Sequence, residues 1–83
     1  MYVYYIYDDD MRLYFLGMRR ASLPVPTCIW GSDRADAMAF DSVVEAAKTA
    51  QQIGGRASVY RLRRDGTGPA RRVRKAGGGE NRE

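Results

Sequence analysis

The chain has 83 residues, one cysteine, no histidine and a formal net charge of +4. That length allows one domain, and this composition excludes an intrachain disulfide, a transition-metal cage and the commonest general base. The charge is unevenly spread: residues 1–62 hold seven Lys/Arg against seven Asp/Glu, and residues 63–83 hold seven against three.

Tyr2-Val3-Tyr4-Tyr5-Ile6-Tyr7 is a run of aromatic and β-branched residues, the types that fit a pleated, half-buried strand. Asp8-Asp9-Asp10 interrupts it with side chains that tolerate turns and bond their own backbone. Arg12 to Met18 forms a second apolar run, so the two predict an antiparallel hairpin. Pro24-Val25-Pro26 makes Arg19 to Thr27 a loop or an edge segment. Cys28-Ile29-Trp30 has the composition of a short strand that Gly31-Ser32-Asp33 ends, and one helical turn is expected within Asp33 to Ala39.

The sharpest local signal is Ser42-Val43-Val44-Glu45, a capping box in which Ser42 accepts from the Glu45 amide and the Glu45 carboxylate returns to the Ser42 amide. Val43, Ala46, Ala47, Ala50 and Ile53 then recur at helical spacing, and Gly54-Gly55 supplies the left-handed stop. Ala57 to Leu62 alternates as a final strand. After it, Asp65-Gly66-Thr67-Gly68-Pro69 and Gly77-Gly78-Gly79 are turn and linker chemistry.

This order predicts an α+β fold: a small antiparallel sheet of three or four strands, β-β-(β)-α-β, with one helix packed on one face. Residues 1–62 form the folded domain in this reading, and residues 63–83 a flexible, disordered basic Gly/Arg-rich tail. A core of about sixty residues is marginal, so self-association into a homodimer is the expected aid. No basic leader precedes Tyr2 and no apolar run is long enough to cross a membrane, which predicts a cytoplasmic protein; a lone thiol suits that compartment.

Three constellations are candidate sites. Tyr2, Tyr4, Tyr5, Tyr7, Tyr14 and Tyr60 place two tyrosines on each face of the first strand. They can stabilise the sheet by cross-strand pairing, meet a protein partner, or stack on unpaired bases. Arg63, Arg64, Arg71, Arg72, Arg74 and Lys75 can neutralise phosphates or an acidic partner, or simply solvate a terminus. Asp8, Asp9 and Asp10 have the oxygens of a calcium or magnesium site but not its spacing, so a solvated hairpin tip is expected. No metal, cofactor or catalytic residue is predicted: Cys28 has no histidine to activate it, Ser42 is used as a cap, and Gly66-Thr67-Gly68-Pro69 lacks the lysine of a phosphate loop.

The aromatic hairpin from Tyr2 to Met18, Trp30, Ala37-Met38-Ala39-Phe40 leading into Ser42-Val43-Val44-Glu45-Ala46, and the closing strand Ala57 to Leu62 form a recognisable layout. It resembles the small orphan proteins of phages and other mobile elements, a group that includes many anti-CRISPR proteins. The resemblance implies a non-enzymatic inhibitor that binds a host protein or ribonucleoprotein complex, such as a CRISPR-Cas system, in the bacterial cytoplasm. Two other functions fit the residues themselves: nucleic-acid binding through the basic tail and sheet tyrosines, and a homodimer whose tyrosine face is buried in itself.

Overall fold

A computed structural model of the chain describes residues 1–19, 27–54 and 57–74. Five strands, β1 (Tyr2–Asp8), β2 (Leu13–Arg19), β3 (Thr27–Gly31), β4 (Ala57–Arg63) and β5 (Arg71–Arg74), form one antiparallel sheet in the order β3-β2-β1-β4-β5. One helix, α1 (Val43–Ile53), packs on β1 and β4, and a 3-10 turn at Arg34–Asp36 precedes it. The α+β class and the single covering helix agree with the sequence reading; the strand count of three or four does not.

The extra strand comes from the segment expected to be tail. Arg71-Arg72-Val73-Arg74 has no apolar alternation, because an edge strand needs only one inward residue and its backbone supplies the rest. Val73 packs against the core, and a bulge gives β5 one more residue than β4 between Val59 and Tyr60. Residues 75–83, including Lys75 and the glycine run, lie outside the described residues, as do residues 20–26 of the expected proline loop.

The hairpin forms, but its strands stay paired only beside the turn, at Tyr7↔Tyr14 and Asp8↔Leu13. Beyond that they part, and the segment before α1 bridges them. Met38 N–H donates to the Phe15 carbonyl at 3.0 Å, while Tyr4 and Phe40 exchange both backbone bonds, at 2.8 and 2.7 Å. The inserted segment thus satisfies backbone groups that the splayed hairpin would leave bare. On the outer side of β2, Leu16 is the extra residue of a second bulge. Gly17 follows it at φ 151°, a conformation that side-chain-bearing residues rarely adopt.

Ile6, Val59 and Phe15 are fully buried beneath α1, joined by Phe40, Ala46, Ala50 and Ala57. Tyr4, Cys28, Trp30 and Ile53 pack around them, with Trp30 edge-on to Phe15 at 5.8 Å. Ala46 and Ala50 let the helix lie close to the sheet. Val43, expected on the buried stripe, is 40% exposed, since it occupies the first helical position and only the later turns cross the core. Ser42 is the N-cap, but its hydroxyl accepts from the Val44 amide (3.2 Å) and not from Glu45, so the reciprocal capping box is not closed. Gly54 ends the helix at φ 74°.

Two stability changes follow from this construction. Ser42→Ala should lower the unfolding free energy by about 1 kcal/mol, the usual effect of a lost cap acceptor; an unchanged denaturation midpoint would contradict it. Ending the chain after Ala70 should destabilise it by about 1–2 kcal/mol, as Val73 leaves the core and β4 gains an open edge. Thermal melts of the full and shortened chains check this, and coincident melts would mean that β5 contributes nothing.

Candidate functional site

Side chains alternate along β1, so Tyr2, Tyr4 and Ile6 face α1 while Val3, Tyr5 and Tyr7 face away. The β4 partners of the outward set are Leu62, Tyr60 and Ser58, and Tyr14 of β2 lies opposite Tyr7. Four of the six tyrosines therefore converge on the face opposite α1. They form a closed ring of contacts: Tyr5 meets Tyr14 and Tyr60 at centroid distances of 5.5 and 5.6 Å, and Tyr7 meets the same two at 4.7 and 5.7 Å. Tyr5 and Tyr60 stack within 11° of parallel, whereas Tyr7 stands edge-on to Tyr60 at 88°. Such pairs contribute roughly 0.5–1.5 kcal/mol each beyond burial.

Asp9 anchors this layer. Its carboxylate accepts from the Tyr60 hydroxyl at 2.5 Å and from the Ser58 hydroxyl at 2.7 Å, and Arg72 Nη1 lies 3.8 Å away. Ser58 is fully buried here. Burial, then the bond to Asp9 and its negative charge, push the Tyr60 hydroxyl well above the ordinary tyrosine range. The Tyr5 hydroxyl is raised as well, chiefly by burial and next by Tyr14, with the Arg34 guanidinium pulling the other way. At 7% exposure, Tyr5 offers almost no ring face to a base. The layer presents edges, with Tyr7 and Tyr14 half-buried around Tyr5.

The three aspartates of the turn diverge. Asp8 is buried and its carboxylate accepts from the Asp10 and Met11 amides at 2.9 and 3.0 Å, which shapes a turn closed by the Arg12 amide on the Asp8 carbonyl. Asp9 points into the tyrosine layer, and Asp10 is exposed. A solvated tip was the expectation for all three, and the first two are structural instead. Among the described residues, no cluster of three His, Cys, Asp or Glu side chains is placed to hold a metal ion. No helix among them is long and apolar enough to cross a membrane.

The basic candidates also separate. Arg64 pairs with Asp41 at 2.7 Å, Arg72 lies near Asp9, and Arg74 is half-buried beside the β5 bulge. Arg63 and Arg71 instead share the helix side of the sheet with Arg61, which the sequence reading passed over as part of an alternating strand. Arg61 is the cross-strand neighbour of both Tyr4 and Arg71, and its guanidinium sits 4.3 Å from the centre of the Tyr2 ring. The signal was present in Val59-Tyr60-Arg61-Leu62-Arg63: read at period two, both arginines share a face with Val59. A separate cleft of about 410 Å³ opens at the other face, between the 3-10 turn and the sheet, where Val3 and Leu62 meet Arg34 and Ala35.

The tyrosine layer should respond to alkali. Because the Tyr60 hydroxyl is raised in the fold, its stabilisation is complete below the unfolded tyrosine value of about 10 and is lost progressively as pH rises above it. Tyr60→Phe should flatten that alkaline loss and cost about 1–2 kcal/mol at neutral pH, as Asp9 loses a donor. Denaturation midpoints against pH check this, and equal alkaline slopes for the two proteins would contradict it.

Comparison with protein-family models, curated proteins and solved structures finds no match to this chain.

Proposed function

We propose that this protein is a non-catalytic binding module that docks on a host protein or ribonucleoprotein complex and inhibits it, as the small mobile-element proteins it resembles do. The observation that supports the reading is the sheet face opposite α1, where a layer of mutually packed tyrosines adjoins the cleft at Val3 and Leu62. Tyrosine is enriched at interfaces because its ring buries area while its hydroxyl keeps a polar contact. Here the rings are locked by one another and by Asp9 before any partner arrives, which reduces the ordering cost of binding. Burial of Tyr5 disfavours the base-stacking alternative for this face, since a stacked base needs an open ring.

The test is carried out in bacteria with an active CRISPR-Cas system. Wild-type protein should raise transformation by a targeted plasmid, and a Val3→Asp, Leu62→Asp variant that remains folded should abolish the effect. The same variant should lose a nuclease-resistant complex captured from those cells. Full inhibition by the folded variant would contradict the face, and no inhibition by the wild type would contradict this target. Sedimentation of the isolated protein separates the homodimer: a dimer dispersed by the same changes would assign the face to self-association.

A further inference from the structure

We propose that the cleft formed by Tyr2, Arg61, Arg63, Arg71 and the Thr67-Gly68-Pro69 loop binds the phosphate backbone of a nucleic-acid strand. It lies on the helix side of the sheet, encloses about 420 Å³, and is separate from the tyrosine layer.

Three observations carry this. First, the β4–β5 register sets Arg61 directly opposite Arg71, and like charges so placed destabilise a sheet unless something negative lies between them. Second, among the described residues no carboxylate forms an ion pair with Arg61, Arg63 or Arg71, although the neighbouring Arg64 and Arg72 have Asp41 and Asp9 close by. Half-buried Arg61 is held by the Tyr2 ring, which orients a guanidinium without neutralising it. Third, Tyr2 and Arg63 also line an adjoining cleft of about 490 Å³ that continues to Met1, Arg64 and Asp65. With Arg64 offset by Asp41 and Asp65 counted, the joined clefts keep a positive surplus from Arg61, Arg63 and Arg71, and their elongated opening suits an extended polyanion better than a lone phosphate.

The loop that walls the cleft is ordered by its own contacts. The Asp65 carboxylate accepts from the Thr67 amide at 2.9 Å and from the Thr67 hydroxyl at 2.7 Å. These bonds, the Thr67 hydroxyl first, hold the Asp65 carboxyl below its usual range, so it stays ionised at the rim with its oxygen turned to the loop. Guanidinium groups match phosphate oxygens in two-point contacts, and an arginine already stacked on a ring surrenders little freedom in making them. Tyr2, 37% exposed, leaves part of its surface to a sugar or base beside the contacted phosphate.

The experiment is anisotropy of a labelled oligothymidylate and a labelled oligouridylate with the full chain across a salt series. Binding should weaken with salt, and Arg61→Gln, Arg63→Gln and Arg71→Gln together should weaken it at least about tenfold. The same three changes should flatten the log–log salt slope by about 2, roughly 0.7 for each phosphate no longer neutralised. Arg61→Lys, which keeps the charge but not the stacked fork, should weaken binding while leaving the slope nearly unchanged. Val3→Asp, Leu62→Asp should bind like the wild type, so this result stands or falls apart from the proposed protein interface. Wild-type affinity and slope in a folded triple variant would overturn the proposal. So would equal binding of polyglutamate, which would make the occupant an acidic peptide, or displacement by inorganic phosphate where chloride at matched ionic strength has no effect.

Discussion

Everything in this molecule hangs on the pairing of β1 with β4. The seven pairs from Tyr2↔Arg63 to Asp8↔Ala57 join strands that are 49 or more positions apart, and they fix which side chains share a face. Because side chains alternate, a slip of one residue would carry Ile6 out of the core and Tyr5 into it. The native register brings Ile6 to Val59 under α1, Tyr5 to Tyr60 on the opposite face, and Tyr4 to Arg61 beside the arginine cleft. Apolar burial selects that arrangement: Ile6 and Val59 are both fully buried, and a one-residue slip would expose one of them.

Among the described residues one α-helix covers one face, and the opposite face is held by contacts among its own side chains. These contacts form a ring of tyrosines, anchored at Tyr60 by the Asp9 carboxylate. Asp9 satisfies the two hydroxyls that burial would otherwise leave bare, and its negative charge draws Arg72 of β5 toward the layer. The fifth strand is thereby tied to the sheet from both sides, by Val73 in the core and by Arg72 near Asp9. The same strand delivers Arg71 to the cleft. Alternation thus sends Arg71 and Arg72 to opposite faces, and the bulge lets Val73 reach the core next to them.

Local chemistry was legible in the sequence where one residue type serves one geometry. Ser42 and Gly54 mark the ends of α1, the Tyr2 to Tyr7 run is a strand, and Gly31 closes β3. Features that depend on distant partners were not. Nothing near Asp9 announces that it will meet Ser58 and Tyr60, because that contact exists only once β4 has paired with β1. Segment 38–40 bridges β1 and β2 through its backbone, which leaves no mark on residue choice beyond the buried Phe40. The β5 strand was hidden for a similar reason: three of its four residues are arginines, and a period-two signal needs more than one apolar residue. The tyrosines were correctly expected on both faces of β1, but which pair is left open is decided by α1, whose alanines seat it over Ile6.

The register of β1 on β4 can be read directly by nuclear magnetic resonance. Tyr4 uses its backbone groups on Phe40, so Tyr4↔Arg61 and, by alternation, Ile6↔Val59 are pairs without mutual hydrogen bonds. Such pairs bring their Cα atoms to about 4.5 Å, close enough for strong Hα–Hα Overhauser contacts. The account predicts those contacts between Tyr4 and Arg61 and between Ile6 and Val59. Contacts from Tyr5 to Arg61 or Val59 in their place would show a slipped register, and would exchange the faces on which both the tyrosine layer and the arginine cleft depend.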